Sequence, residues 1–205
     1  VNYAYDNTNK LTGITHNGFS YGFEYDGWGN VTKTTAAGNI LSENDYDVGR
    51  DLRRHVYYGN GDTVEYVYNE YYDVVDEKKV DGTTKFKYYY DNNQNLVRLV
   101  DLENNITTNY TYDLIGRISG MTTSDGLRLD LKYDDKNRVE KYVWQIDDKS
   151  YTTNYFYGKT PDGAIAKPGL IYGLSINNSL NLDYTYDSLG RRTQRTLGSY
   201  VQNYG

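Results

Sequence analysis

Tyr110-Thr111-Tyr112-Asp113-Leu114-Ile115-Gly116-Arg117-Ile118 is the stretch that decides the fold. Tyr110 and Tyr112 are two residues apart, so in an extended chain both point to one face. Asp113 followed by Gly116 supplies turn chemistry: Asp bonds its own backbone, and Gly accepts a positive φ. Ile118 then opens a second strand. The stretch reads as strand, turn, strand, which is a β-hairpin.

The same reading recurs along the whole chain. Copies or close variants are Tyr3-Ala4-Tyr5-Asp6, Phe23-Glu24-Tyr25-Asp26, Tyr46-Asp47, Tyr66-Val67-Tyr68-Asn69, Tyr88-Tyr89-Tyr90-Asp91, Tyr133-Asp134, Tyr155-Phe156-Tyr157-Gly158 and Tyr184-Thr185-Tyr186-Asp187. The residue after the last Tyr falls at 6, 26, 47, 69, 91, 113, 134, 158 and 187, at spacings of 20, 21, 22, 22, 22, 21, 24 and 29. About three residues later comes Gly or Asn, often with Arg behind it, as in Gly29-Asn30, Asn137-Arg138 and Gly190-Arg191. Each unit then closes on a second turn signal: Gly18, Gly38, Gly61, Gly82, Asn104-Asn105, Asp125-Gly126, Asp147-Asp148 or Gly198.

A fixed period is the mark of a repeat architecture. Units of about 22 residues leave about 6–8 per strand after two short turns. Tyr, Thr and Val favour strands, and no stretch sustains a helical period. The expectation is an all-β antiparallel meander of about nine hairpin units, roughly 16–18 strands, in a single domain over residues 1–205. A flat sheet of that size would be about 80 Å wide at ~4.8 Å per strand. Open twisted sheets rarely pass ~10 strands without curling, so a strongly curved or spiral single sheet, a partial shell, is expected. Two places break the rhythm. Unit four lacks the Gly-Arg turn and carries Asp73, Asp76, Glu77, Lys78 and Lys79 instead. Unit eight holds both prolines, Pro161 and Pro168, so 158–169 reads as a loop inserted out of the sheet.

Composition excludes several classes. The 205 residues include 26 Tyr, 20 Gly, 2 Pro and no Cys, with aromatics at 16%, too many for a disordered chain and enough to bury a core. Without Cys there is no disulfide framework and no thiolate metal site. No apolar run approaches a membrane span, and no signal peptide appears. A net charge of -6 argues against nucleic acid. The chain starts at Val1 in what already reads as strand, which suggests a piece of something longer.

Tyr-x-Tyr-Asp-x-x-Gly-Arg resembles the signature of the YD-repeat, or RHS-repeat, family. The best copies are 110–117 and Tyr184-Thr185-Tyr186-Asp187-Ser188-Leu189-Gly190-Arg191, and Tyr3 to Leu11 fits with Asn9-Lys10 in the Gly-Arg place. The resemblance implies a β-ribbon spiralling into a hollow shell. Such shells occur in bacterial toxin complexes, polymorphic toxins, wall-associated proteins and teneurins, and in the toxins the shell encloses the toxic cargo. The family's repeats have also been described as carbohydrate-binding. Its shell-closing core carries an Asp-Pro-x-Gly type motif, and this chain has no Asp-Pro. It therefore resembles an internal stretch of repeats without the self-cleaving site.

The candidate residues are those of the repeat motif: Tyr5, Asp6, Tyr25, Asp26, Tyr112, Asp113, Gly116, Arg117, Tyr186, Asp187, Gly190 and Arg191. Recurrence of Asp at one turn position points to capping rather than catalysis. The Gly-Arg arginines are expected to cross-link neighbouring turns by pairing with the repeat Asp. Asp45-Tyr46-Asp47-Val48-Gly49-Arg50-Asp51 looks loosely like a calcium loop, but Gly is fifth and position twelve is Val56. Asp73, Asp76, Glu77 and Asp81 form a looser acidic group, offset by Lys78 and Lys79. His16 and His55 read as surface residues. The Tyr ladder has two readings: the sheet's own packing layer, or platforms for sugar rings near Trp28, Trp144 or 158–172.

The reading is thus a structural segment, without catalysis, cofactor or metal, forming part of the wall of a shell in a larger bacterial secreted or surface toxin-like protein. Its partners would be flanking repeats, the parent's core and an enclosed toxin domain, with no nucleic acid and no membrane span. The alternative is a carbohydrate-binding or adhesive module using exposed Tyr. Unpaired strands at both ends would also favour edge-to-edge self-association.

Overall fold

A computed structural model describes residues 1–159 and 167–204. Those residues form 19 β-strands and no helix, so no helix is long and apolar enough to cross a membrane. The chain divides into two compact units, Val1–Ile106 and Thr107–Gly205.

The first unit contains β1 (Asn2–Tyr5), β2 (Leu11–His16), β3 (Phe19–Tyr25), β4 (Val31–Ala36), β5 (Asn39–Tyr46), β6 (Arg53–Tyr58), β7 (Thr63–Tyr68), β8 (Val75–Val80), β9 (Thr83–Tyr90) and β10 (Leu96–Asp101). Each pairs antiparallel with the next, from β1–β2 to β9–β10. β11 (Ile106–Tyr112) leads into the second unit, which continues with β12 (Ile118–Thr123), β13 (Arg128–Tyr133), β14 (Val139–Ile146), β15 (Lys149–Tyr157), β16 (Ile171–Ile176), β17 (Leu180–Tyr186), β18 (Arg192–Leu197) and β19 (Tyr200–Asn203). These again form an antiparallel meander. The described strands number 19 rather than 16–18, because the nine hairpins β1–β2 to β17–β18 are followed by one more strand, β19.

Two kinds of turn alternate. Some of the short ones are two-residue reversals, such as Asn17-Gly18 (φ 49° and 79°) and Asp81-Gly82 (φ 48° and 74°), while 59–62, 102–105 and 124–127 hold four residues. Positive φ at both positions matches the twist of paired strands. The other kind follows the Tyr and is longer. Beside every one of the nine longer turns the register slips by one residue: Ala4 faces Gly13, yet Tyr5 faces Leu11. The same slip follows Glu24, Asp45, Val67, Tyr89, Thr111, Lys132, Phe156 and Thr185. This is a β-bulge built into the repeat.

Alternation holds as expected. Tyr110 and Tyr112 are half-buried while Thr111 is exposed, and Tyr184, Thr185 and Tyr186 repeat that pattern. The expected sizeable core is not found among the described residues. Only two apolar side chains are buried, Val56 at 4% exposure and Val64 at 7%. The reason is topological: within each unit strands touch their sequence neighbours and nothing is layered over them. Side-chain rows on one sheet half-bury one another.

Unit four also departs from expectation. Asp76, Glu77, Lys78 and Lys79 lie within β8 rather than in a turn. Lys79 pairs with Glu65 at 3.0 Å and Glu77 with Lys87 at 3.2 Å across the ladder. In unit eight, 158–159 and 167–170 lie outside strands and Gly158 N–H closes on Leu170 C=O at 3.0 Å. The middle of the expected loop, 160–166 with Pro161, lies outside the described residues.

Candidate functional site

The site the sequence selects is the longer turn, and it has one design. At Asp113 the backbone N–H donates to Arg117 C=O at 2.8 Å and Gly116 N–H donates to Asp113 C=O at 3.1 Å. The Asp113 carboxylate fills the loop: Oδ1 accepts from Ile115 N–H at 3.1 Å and Arg117 N–H at 3.0 Å. Oδ2 takes Arg117 Nε at 2.7 Å and Nη2 at 2.6 Å. Asp187 does the same with Leu189 N–H (2.9 Å), Arg191 N–H (2.8 Å) and Arg191 Nε (2.6 Å), closed by Gly190 N–H. Asp6 accepts from Thr8 N–H and Lys10 N–H, and Asp26 from Trp28, Gly29 and Asn30 N–H.

The residue three after the Asp always has positive φ in the five-residue turns: Asn9 63°, Gly29 103°, Gln94 64°, Gly116 83°, Asn137 63° and Gly190 85°. That geometry costs a Cβ-bearing residue strain, least for Asn. The turns at Asp47 and Asn69 are one residue longer, closing on Leu52 C=O (2.7 Å) and Val74 C=O (2.8 Å). There positive φ falls at Gly49 (103°) and Asp51 (61°) in the first, and at Asp73 (54°) in the second.

These bonds act on the charged form. The Arg117 N–H, and then its guanidinium, hold Asp113 below the usual carboxylate value; Arg191, side chain first, does so for Asp187, and Asn95 for Asp91. For Asp26 and Asp134 burial pushes upward, but the hydrogen bonds outweigh it and the net direction is down. The repeat aspartates are thus stabilised anions satisfied by their own loops, not free bases.

The arginines correct one expectation. Each pairs with the Asp of its own turn, as Arg117–Asp113, Arg138–Asp134 and Arg191–Asp187, because four residues of loop bring the two side chains together. Links between turns use other partners. Arg117 Nη1 donates to Asn137 Oδ1 at 2.8 Å, Arg50 Nη1 to Asp73 Oδ1 at 3.1 Å, and Asn30 Nδ2 to Asp51 Oδ1. The turn cation also covers the next repeat's ring: Lys10 over Tyr25 (5.5 Å), Arg117 over Tyr133 (4.2 Å) and Arg138 over Tyr157 (4.1 Å).

A feature that spacing alone did not reveal is the role of the last Tyr. Its hydroxyl donates to the carbonyl at the bulge of the preceding repeat. The pairs are Tyr25–Leu11 (2.7 Å), Tyr46–Val31 (3.0 Å), Tyr68–Arg53 (2.8 Å), Tyr90–Val75 (2.9 Å), Tyr133–Ile118 (2.8 Å) and Tyr186–Ile171 (2.6 Å). A bulge opens the ladder, and this carbonyl takes its bond from the neighbouring repeat's side chain. The constant separation of 14 or 15 residues was the available signal. Tyr5, in β1, is 60% exposed.

The other candidates disperse. Asp47 and Asp73 share Arg50, Asp51 takes Asn30, Asp81 accepts from Thr63 N–H, and Glu77 pairs with Lys87. Among the described residues no group of three His, Asp or Glu is placed to hold a metal ion. His55 Nδ1 lies 3.0 Å from Asp45 Oδ2 and its ring stacks on Tyr57 at 5.8 Å; His16 is exposed at the end of β2. Trp144 faces Tyr151 in the β14–β15 ladder. Two cavities lie along the longer turns. One of about 560 Å³ sits where unit eight breaks the row, walled by Tyr133, Tyr155, Tyr157, Arg138 and Lys159. One of about 270 Å³ sits beside Trp28, Tyr46 and Val48.

Comparison with known proteins agrees with this geometry. The family model described as RHS Repeat matches residues 5–40. No curated protein matches the sequence. Among solved structures, the chain is similar to a TcdB2-TccC3-Cdc42 crystal structure, at 15% identity and a TM-score of 0.66 over 97% of this chain. It is similar to the Photorhabdus luminescens Tc holotoxin pore with a mutated TccC3, at 16% identity and 0.65 over 97%. It is also similar to TcdB2-TccC3 without its hypervariable C-terminal region, at 13% identity and 0.52 over 96%. The chain spans 12%, 12% and 10% of those three chains. With an RHS Repeat matched at residues 5–40, and the same capped turn and bulge recurring through both units, the chain carries an RHS-type repeat near its start and resembles the RHS-repeat, or YD-repeat, family along the rest.

Proposed function

We propose that this chain is a wall segment of a hollow β-shell in a larger bacterial secreted or surface toxin-like protein. It acts as enclosure or scaffold and carries no catalysis. The observation that carries the reading is the Tyr-to-bulge bond, which recurs at one geometry in both units. It spends the most distinctive side chain of the repeat on joining each unit to the one before. The repeat Asp, the other obvious chemical group, is consumed by its own turn. The half-buried Tyr face and the near-absence of buried apolar side chains suit a single-layer wall. The exposed strands β1 and β19 would pair with flanking repeats or a second copy. The experiment is limited proteolysis of the full-length protein containing these repeats. Polypeptide outside the repeats should resist protease until urea unfolds them. Digestion at the rate of an unprotected chain in native buffer would rule out enclosure.

A second reading, a carbohydrate-binding module, draws on one observation. The larger cavity sits at the irregular unit, where the Tyr155 and Tyr157 rings stack 6.2 Å apart and Arg138 lies over Tyr157. Flat aromatic faces with a charged rim suit a sugar ring. A glycan array followed by titration calorimetry tests it, and a blank across polysaccharides ends it.

A further inference from the structure

The two rims of the first unit differ in chemistry. A meander places all longer turns at one end of the strands and all short turns at the other. The short-turn tips are small or polar in Asn17-Gly18, Ala37-Gly38, 59–62 and Asp81-Gly82, with Leu102 (48% exposed) the one large apolar side chain in the turn at 102–105. Three successive longer turns instead hold apolar side chains out to solvent: Trp28 at 83% exposure, Val48 at 96% and Tyr71 at 84%. None of the three uses its side chain to hold the turn. Trp28 gives the turn only its backbone N–H, to Asp26; Tyr71 gives its N–H to Asn69, and its ring meets only its sequence neighbour Tyr72, itself exposed, at 6.4 Å. A turn favours small or polar residues at such positions. Large apolar groups in three adjacent turns therefore have no explanation in the fold of the turn.

The row is also held in place. Asn30 of the first turn bonds Asp51 of the second, and Arg50 of the second bridges Asp47 and Asp73 of the third. Between the first two turns lies the cavity of about 270 Å³, with Trp28, Tyr46 and Val48 as apolar walls and Asp26 and Asp51 at its margin. The surrounding charge is negative. The three turns carry Asp26, Asp47, Asp51, Glu70 and Asp73 against Arg50, five carboxylates to one guanidinium, a formal -4. Counting Arg53, Arg54 and Asp76 at the following strand starts, and Lys10, whose Nζ reaches Asp26 C=O, changes this to -2. Capping by neutral backbone N–H stabilises a carboxylate without cancelling its charge, so the field stays acidic.

We infer that the rim formed by turns 26–30, 47–52 and 69–74 is a docking surface for a basic, amphipathic segment of a partner protein. Apolar side chains of that segment would lie along Trp28, Val48 and Tyr71. One would enter the cavity beside Tyr46, with Lys or Arg flanking it toward Asp51, Glu70 and Asp73. The acidic field selects against an anionic lipid surface, and the exposed aromatic anchors are of the type that dominates interface energetics.

The test uses a fluorescently labelled 18-residue Leu/Lys amphipathic peptide, its Leu/Glu counterpart, and phosphatidylcholine vesicles, each titrated with the full chain. The variants are Trp28→Ser, Val48→Ser and Tyr71→Ser combined, and Asn17→Ser on the opposite rim, both checked for an unchanged melting temperature. The Leu/Lys peptide should bind the unmodified chain and Asn17→Ser alike, weaken at high salt, and bind the triple variant at least tenfold more weakly. The Leu/Glu peptide should not bind. Equal binding by the triple variant, equal binding of the Leu/Glu peptide, or preference for vesicles would overturn the proposal. So would self-association that the triple variant abolishes, since a second copy would then be the occupant. Trp28→Ser and Val48→Ser as single substitutions, each expected to weaken binding severalfold, keep the test decisive if the triple variant fails to fold.

Discussion

Replacing Tyr90 by Phe removes one hydroxyl and little else. The ring of Tyr90 stays half-buried, and burial already pushes its phenol above 10.0, so at neutral pH the residue is a neutral donor. What is lost is the 2.9 Å bond to Val75 C=O, the link from the repeat at Asp91 to the one before it. A hydrogen bond of this kind contributes about 0.5–1.5 kcal/mol net. In a chain of this size, about 1 kcal/mol shifts the melting temperature by roughly 2–4 °C. Tyr46→Phe is the internal control. Its acceptor, Val31 C=O, also receives Asn44 Nδ2 at 2.8 Å, so the carbonyl keeps a side-chain donor when the hydroxyl goes. The cost of Tyr46→Phe should therefore be less than half that of Tyr90→Phe. Urea unfolding followed by circular dichroism, with thermal melts alongside, measures both. If Tyr90→Phe matches the unmodified chain, the hydroxyl is not a staple. If Tyr46→Phe costs as much as Tyr90→Phe, the stability comes from the ring and not from satisfying the bulge carbonyl.

Four further expectations follow from the same geometry. The repeat aspartates have lowered pKa values in the fold, so their stabilisation is fully present above the unfolded value near 3.8 and is lost as pH falls through the folded values; melting temperature should be flat from pH 7 to 5 and drop below about pH 4. Asp113→Ala should destabilise more than Asp113→Asn, which keeps an acceptor for the two backbone N–H groups as Asn69 does for Tyr71; equal melts for the two variants would refute the capping role. The staple tyrosines run the opposite way, their raised pKa values at Tyr46, Tyr68 and Tyr90 giving stability that holds below pH 10 and is lost as pH rises above it, measurable as alkaline unfolding. Gly59→Ala should be among the most damaging single substitutions, because a Cβ there would lie 1.9 Å from the Ile40 carbonyl oxygen, a backbone atom that cannot swing aside; a melt within 2 °C of the unmodified chain, roughly 0.5–1 kcal/mol at this size, would contradict it.

How far the sequence disclosed all this depends on what each element is made from. The hairpins were legible because their determinants are local. Tyr110 and Tyr112 define a face by alternation, and Asn17-Gly18 or Asp81-Gly82 define a two-residue reversal by their φ preference. The capping role of Asp113 was legible for the same reason, since it acts within four residues. The bulge was not. Thr12, Ser119 and Thr193 are ordinary strand residues, and nothing in their identity says that the partner strand skips them. The mispairing becomes visible only once two strands are set side by side. The direction in which Arg117 reaches was likewise undetermined, because its own Asp113 and the next turn are both within a guanidinium's span. Unit four misled because Asp76 to Lys79 are charged, and charge reads as loop. On a single-layer sheet both faces meet solvent, so a strand can carry charge on every residue provided cross-strand partners such as Glu65 and Lys87 are waiting.

That last point bears on which residues the repeat can change. The Asp recurs because one carboxylate oxygen takes the backbone N–H groups of the turn while the other is left for a side chain such as Arg117 or Asn95, whereas the residue three positions on varies among Gly, Asn and Gln, since what it must supply is a positive φ. The fourth position varies among Arg, Lys and Asn because each bonds within its turn or reaches into the next, as Arg117 meets Asn137, Lys10 meets Asp26 C=O and Asn30 meets Asp51. The two tip positions between have neither duty, and they are where Trp28, Val48, Tyr71, Leu114 and Leu189 occur, each at 77% exposure or more. A position free of folding constraint that nonetheless carries a large apolar side chain is destabilising to leave in water and gains nothing from its own turn. Exchanging Leu114 or Leu189 for Ser should therefore leave the melting temperature within about 1 °C, in line with an exposed site that contributes under 0.5 kcal/mol. A drop of 5 °C at either site would mean that the tips pack within the fold, and the distinction between the constrained and unconstrained turn positions would then be wrong.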